Sequence, residues 1–251
     1  MSDQIIQTRT REIYLIRHGQ TDWNILHRAQ GCEHDIPLND TGREQANKTG
    51  TYLENYRLES GSFDLIVSSG MDRANETAKI IAEKVGYTKP ILIIKEFKEK
   101  CHGELGGKTD EELKDDPYYK EFIDRILLYD EEFDPIKQRE IYYENNKLFH
   151  DSYKSELHTD FTKRIKKGLK QIYDRPEKKI IIVSHGGTIM NTLQIFTGIE
   201  DYIIGDFKNG HNCHISYIKL YEKLEKNKIK RKFKIIKLLN TQHFKPKTQI
   251  K

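Results

Sequence analysis

No stretch of this chain approaches the roughly 18 consecutive apolar residues that a membrane helix needs, and no apolar segment of signal-peptide type lies near its start. Cysteine is scarce. There are three, Cys32, Cys101 and Cys213, an odd number with no C-x-x-C pair. That scarcity argues against a disulfide framework and a cysteine-based zinc site, and it suits a reducing compartment. A large excess of one charge is missing too: 43 Lys and Arg face 39 Asp and Glu, for a net charge of +4. Much of the excess falls late, in "EKLEKNKIKRKFKIIKLLN". That stretch has neither a recognised nucleic-acid module nor interleaved stacking aromatics, and reads better as a solvated helix end and edge strand. The expectation is a soluble, cytoplasmic protein with no nucleic-acid or membrane partner. Its oligomeric state stays open.

What is present is a chain of 251 residues, 36% hydrophobic and 33% charged. The length fits one α/β domain carrying an insertion. Short apolar runs punctuate it: residues 12–16, "FDLIVSS" (63–69), "PILIIKEF" (90–97) and "KKIIIVSHGG" (178–187). Such continuous runs suit parallel strands buried on both faces. Helical patterns alternate with them. One begins at Asn39 to Thr41, which are capping candidates; others are "DRANETAKIIAEKVG", "ELHTDFTKRIKKGLKQIYD" and "TIMNTLQIFTG". Two late strands, 214–222 and 232–240, read as a hairpin across a charged turn. The pattern predicts a three-layer α/β/α fold with a mostly parallel central sheet and one antiparallel late strand. It also predicts a single domain over 1–251 with a helical insertion or cap at about 109–155, where Pro117 and Pro135 punctuate a stretch rich in Tyr (118, 119, 129, 142, 143).

Ligands of open α/β sheets bind outside the carboxyl ends of the strands. Here those ends carry Arg17-His18-Gly19, then Ser68-Ser69 with Arg73 just beyond, then Glu96 and Glu99, then Ser184-His185-Gly186-Gly187. Two arginines, two histidines and a glutamate would share one rim. Neutral imidazole, with an ordinary pKa of about 6.5, is a competent nucleophile, and nearby guanidiniums favour the neutral form. The same guanidiniums can grip phosphate oxygens bidentately. Glycines 19, 186 and 187 would let backbone N–H groups approach a phosphate. A glutamic acid could protonate the departing alkoxide and later deprotonate water. With so much fixed positive charge, no metal and no cofactor are required. "HNCH" (211–214) lacks the spacing of a tetrahedral zinc motif.

"LIRHGQTDWN" resembles the signature of the histidine phosphatase superfamily, also called the phosphoglycerate mutase-like family. In the family's order, "GCEHDIPLNDTGREQA", "SSGMDRANETAKII", "EFKEKCHGELGGKT", "IIIVSHGG" and "LLNTQHF" are similar to its other segments, over about 12–108 and 155–244. The resemblance implies that His18 becomes phosphohistidine and that Arg17, Arg73 and His185 bind the transferring phosphoryl group. It implies that Asn24 touches the phosphate, that Gln20 or Thr21 lines the pocket mouth, and that Glu99 is the acid. Glu96 is a rival carboxylate. Gly70-Met71 and His102 depart from the family's common residues.

Mutases of this family add a tyrosine, a lysine and an Arg-Arg pair. His102 stands in the tyrosine place, Asp110 falls near the lysine place, and no Arg-Arg occurs in the insertion. The resemblance therefore implies a phosphatase acting on a small phosphorylated substrate, a metabolite before a phosphopeptide. A cofactor-dependent phosphoglycerate mutase and a silent phosphate-binding scaffold are the alternatives.

Overall fold

The computed structural model describes residues 8–132, 134–198, 211–225 and 228–244. In chain order, β1 (Thr8–Arg17) is followed by the single turn α1 (Asp22–Ile25) and the long α2 (Asp40–Ser60). Then come β2 (Leu65–Ser68), α3 (Asp72–Lys84) and β3 (Leu92–Ile93). The insertion holds α4 (Asp110–Leu113), α5 (Pro117–Glu131) and α6 (Pro135–Tyr153). The chain continues with α7 (His158–Tyr173), β4 (Lys179–Ser184), α8 (Gly186–Thr197), β5 (Ile215–Glu225) and β6 (Lys228–Asn240).

The strands form one sheet in the order β3-β2-β4-β1-β5-β6. β1, β2, β3 and β4 pair in parallel, while β5 runs antiparallel to both β1 and β6. The expected mostly parallel sheet with one reversed strand is therefore present. The hairpin turn itself, 226–227, lies outside the described residues.

Side-chain alternation along the central strands makes two cores. Ile13, Leu15, Ile180 and Ile182 face one side, against Phe161, Ile165 and Leu169 of α7 and Ile189 and Leu193 of α8. Tyr14, Ile16, Ile181 and Val183 face the other, against Leu53 of α2 and Ala74, Ala78 and Ile81 of α3. Burial on both faces is why these strands read as continuous apolar runs. Asn39 caps α2 by accepting the Gly42 N–H at 2.8 Å.

Two expectations are corrected. The third strand spans two residues where eight (90–97) were expected, and a 3-10 turn follows at Lys95–Phe97. The carbonyls of Glu96 and Lys98 turn to Arg164 instead of a neighbouring strand. Cys32 and Cys101 form a disulfide, with Cα atoms 4.6 Å apart and a sequence separation of 69. Neither an odd cysteine count nor a missing C-x-x-C reveals a pairing that the topology creates, between the loop after α1 and the loop after β3. Cys213 is the free, buried cysteine. No helix among the described residues is long and apolar enough to cross a membrane.

Candidate active site

β1, β2 and β4 end at one rim, so Arg17, Ser68 and Ser184 finish their strands together. His18 follows directly. Its backbone N–H donates to the Ser184 carbonyl at 2.9 Å, which extends the pairing by one residue beyond the strand. The imidazole is 3% exposed, and its Nδ1 lies 2.7 Å from the Gly19 carbonyl oxygen. A carbonyl only accepts, so Nδ1 carries the proton and Nε2 presents a lone pair. Burial pushes the His18 pKa well below the ordinary imidazole value, and the charges of Arg73 and Arg17 push it further.

His185 precedes α8 and is fully buried, with its ring centroid 5.2 Å from that of His18. Its Nε2 is 2.8 Å from Ser69 Oγ. Its Nδ1 is buried without a hydrogen-bond partner among the described residues. Burial, then Arg73 and His18, lower its pKa well below the usual range.

Arg73 sits in the first turn of α3 and is fully buried. Nη1 donates to the His34 carbonyl at 3.1 Å and Nη2 to the Gly31 carbonyl at 2.9 Å, which leaves Nε without a protein partner. Burial lowers the pKa of both Arg17 and Arg73, and the Glu99 carboxylate pulls both back up. The charge of Glu99 is therefore felt at both guanidiniums. Its Oε2 accepts the Gly187 N–H at 3.0 Å and its Oε1 accepts the Lys100 N–H at 2.9 Å. Glu96 instead pairs with Lys167 at 3.2 Å on the surface of α7. The geometry brings Glu99, and not Glu96, to the rim.

Asn24 Oδ1 accepts from Thr21 N–H at 3.0 Å and from Asn212 Nδ2 at 3.2 Å. Asn212 also donates to the His18 carbonyl at 3.0 Å. A cavity of about 570 Å3 opens beside this cluster. Arg17, Gln20, Asn24 and His102 line it, and the insertion adds Tyr119 and Phe149. Residues of the insertion thus form part of this cavity's wall. Tyr142 and Tyr143 line a separate cavity of about 350 Å3, and the Tyr129 side chain lies outside the described residues.

Several glycine and threonine roles differ from expectation. The Gly19 N–H donates to Thr77 Oγ1 at 3.0 Å and is not left for a phosphate. Gly19 is needed because a Cβ there would run into the Gly42 carbonyl, where the exit of β1 meets the first turn of α2. Gly187 gives its N–H to Glu99, and an added Cβ would come within 2.7 Å of that carboxylate. At Gly186 a Cβ would make an ordinary 3.7 Å contact with Arg17 Nε. Thr21 is fully buried as the cap of α1, so Gln20 is the one at the cavity.

Sequence reasoning missed Asn212, Arg164 and the part Ser69 plays. Asn212 sits in "HNCH", a stretch weighed as a metal motif and not as a set of hydrogen-bond donors to the His18 loop. Among the described residues, Cys32, Glu33 and Cys101 are the His/Cys/Asp/Glu group close enough together to share an ion, and the two sulfurs are already joined to each other.

A family model for the histidine phosphatase superfamily (branch 1) matches residues 13–231. The Bacillus subtilis (strain 168) protein named uncharacterized phosphatase PhoE is 34% identical over 187 residues, 74% of this chain and 77% of that one. Among solved structures, a phosphoglycerate mutase from Bacillus anthracis str. Sterne aligns over 94% of this chain and 96% of its own. Its TM-score is 0.69 at 20% identity, a likeness of fold. A phosphoserine phosphatase from Entamoeba histolytica, solved in complex with 3-phosphoglyceric acid, aligns over 92% and 98% with a TM-score of 0.59 and 26% identity. With the rim of β1, β2 and β4 built as it is, and the family model covering most of its length, this chain belongs to the histidine phosphatase superfamily.

Proposed function

We propose that the protein is a phosphatase that hydrolyses a small phosphomonoester through a phosphohistidine on His18. The observation that carries this reading is the fixed His18 ring, whose Nε2 lone pair is presented among Arg17, Arg73 and His185 with Glu99 across the rim. In the first step Nε2 forms a bond to phosphorus. The bond from phosphorus to the substrate oxygen breaks, and Glu99 supplies the proton that oxygen takes up. In the second step water attacks phosphorus, the N–P bond breaks, and the Glu99 carboxylate accepts the water's proton. Arg17 and Arg73 neutralise the charge on the phosphoryl oxygens throughout. Among the described residues Nε of Arg73 is an unpartnered donor suited to those oxygens, and Nδ1 of His185 is another in the tautomer whose Nε2 accepts from Ser69 Oγ.

The relative named as a phosphatase supports the hydrolytic reading. So does the insertion, which lacks an Arg-Arg pair and places His102 at the cavity. The chain reads as one unit in which α4–α6 select the substrate, a phosphorylated metabolite held without a metal. His18→Ala tests the assignment: phosphate release from p-nitrophenyl phosphate should fall by about a thousandfold or more. Wild-type enzyme quenched in alkaline denaturant should carry phosphate on His18 that survives base and is lost in acid. Normal turnover by the variant would overturn the reading. Interconversion of 3- and 2-phosphoglycerate with 2,3-bisphosphoglycerate present would favour a mutase, and trapped phosphohistidine without hydrolysis would favour a silent module.

A further inference from the structure

The segment that carries Glu99 has one 3-10 turn, Lys95–Phe97, and no other regular structure until the turn at Gly103–Leu105. Its carbonyls nevertheless converge on one side chain. Arg164, from α7, donates from Nη1 to the carbonyls of Glu96 at 2.7 Å and Lys98 at 2.8 Å, and from Nη2 to that of Glu99 at 2.8 Å. Its remaining donors go to Glu156, Nε to Oε1 at 2.6 Å and Nη2 to Oε2 at 2.8 Å. A guanidinium has five N–H donors in a planar fork, and these five bonds use all of them. Glu156 in turn brackets Cys101: its Oε2 accepts the Cys101 N–H at 3.2 Å, and its own N–H donates to the Cys101 carbonyl at 2.8 Å. The Phe161 ring lies under the guanidinium, 4.7 Å from its carbon.

Three carbonyl dipoles aimed at one point repel each other unless a cation sits there. A lysine ammonium has three tetrahedrally arranged donors and cannot meet three carbonyls and a carboxylate together. We propose that Arg164 and Glu156 are positioning residues for the general acid: together they clamp residues 96–101 and so fix where the Glu99 carboxylate stands against the phosphoryl site. Arg164 acts through Glu99 and touches no substrate. The inference rests on the reading of Glu99 as the acid. Displacing a reacting group by about 1 Å costs on the order of a hundredfold in rate, so a slack clamp should be visible in kinetics.

The test compares leaving groups. p-Nitrophenolate departs without needing a proton, whereas the alkoxide of β-glycerol phosphate needs one. The parameter is kcat/KM, which covers steps up to loss of the leaving group and excludes hydrolysis of the phosphohistidine. Arg164→Lys should lower kcat/KM for β-glycerol phosphate by about 30-fold or more and for p-nitrophenyl phosphate by no more than about 3-fold. Glu99→Gln should show the same selectivity, and inhibition by inorganic phosphate should stay unchanged in Arg164→Lys because Arg17 and Arg73 are untouched. Glu156→Gln, which turns an amide N–H toward the guanidinium, provides a second variant should the first fail to fold by circular dichroism. An equal fall on both substrates in a folded variant, or no fall on either, would overturn the clamp. Absence of phosphate release from either substrate by the wild-type enzyme would instead sink the phosphatase reading.

Discussion

The Gly19 carbonyl oxygen lies 2.7 Å from Nδ1 of His18, so the imidazole is oriented by the residue next to it in the chain. Neutral His18 is also favoured by burial and by Arg73 and Arg17. Its pKa is depressed, so the ring stays neutral as pH falls through about 6.5, the ordinary imidazole value. After correction for substrate ionisation, kcat/KM for p-nitrophenyl phosphate should therefore show no acid limb near 6.5. An acid limb near 6.5 would contradict this account.

Arg73 differs from a surface arginine in having its Nη atoms committed to the His34 and Gly31 carbonyls. Arg73→Lys keeps the charge and loses that fork. We expect kcat/KM to drop about a hundredfold. Circular dichroism and the apparent affinity for inorganic phosphate will separate loss of the site from loss of the fold: folded protein with weakened phosphate binding is the expected pair.

The Cys32–Cys101 disulfide closes a 69-residue separation and joins two loops of the site. Cys32 follows Gly31, which holds Arg73, and Cys101 stands two residues beyond Glu99. In the chain-entropy picture a loop of this length is stabilised by about 4 kcal/mol. Dithiothreitol should lower the melting temperature of the wild-type protein, and Cys32→Ser should melt lower and no longer respond to the reductant. An unchanged melting temperature in both would show that the bond contributes nothing.

Stability should itself depend on pH. Burial holds His158 and His214 down at about 4, aided by Lys100 for the first and by Arg17 for the second. Unfolded, both would titrate near 6.5. Between those values the unfolded chain takes up protons that the folded chain refuses, so stability is full above about 6.5 and falls as pH drops toward 4. At pH 5 each histidine should cost on the order of 1–2 kcal/mol. Urea titrations at pH 7 and pH 5 will measure the difference; equal midpoints would refute it.

The sheet was legible because β1, β2 and β4 are buried on both faces, and Ile13 to Ile16 and Ile180 to Val183 say so in their composition. That Arg17, His18, Arg73, His185 and Glu99 gather at one rim was legible because each stands at or soon after a strand end, and strand ends in such sheets share a rim. β3 was misjudged because an edge strand has one neighbour, and Arg164, far along the chain, draws off its continuation. The disulfide was hidden for the same kind of reason. Cys32 and Cys101 meet only after the sheet has folded the two loops together. The glycine roles were misassigned because steric need depends on the opposing surface: Gly42 for Gly19, and the Glu99 carboxylate for Gly187.

β5 runs opposite to β1, so its beginning, and not its end, arrives at the rim where His18 stands. That is how Asn212, 194 residues beyond His18, reaches the His18 carbonyl. During synthesis the ribosome makes His18 early and Asn212 late. A nascent chain that stops before Asn212 has both histidines and both arginines but lacks the hydrogen bond that ties Asn24 to the His18 loop. Assembly of the rim around His18 is thus deferred until most of the polypeptide has been made.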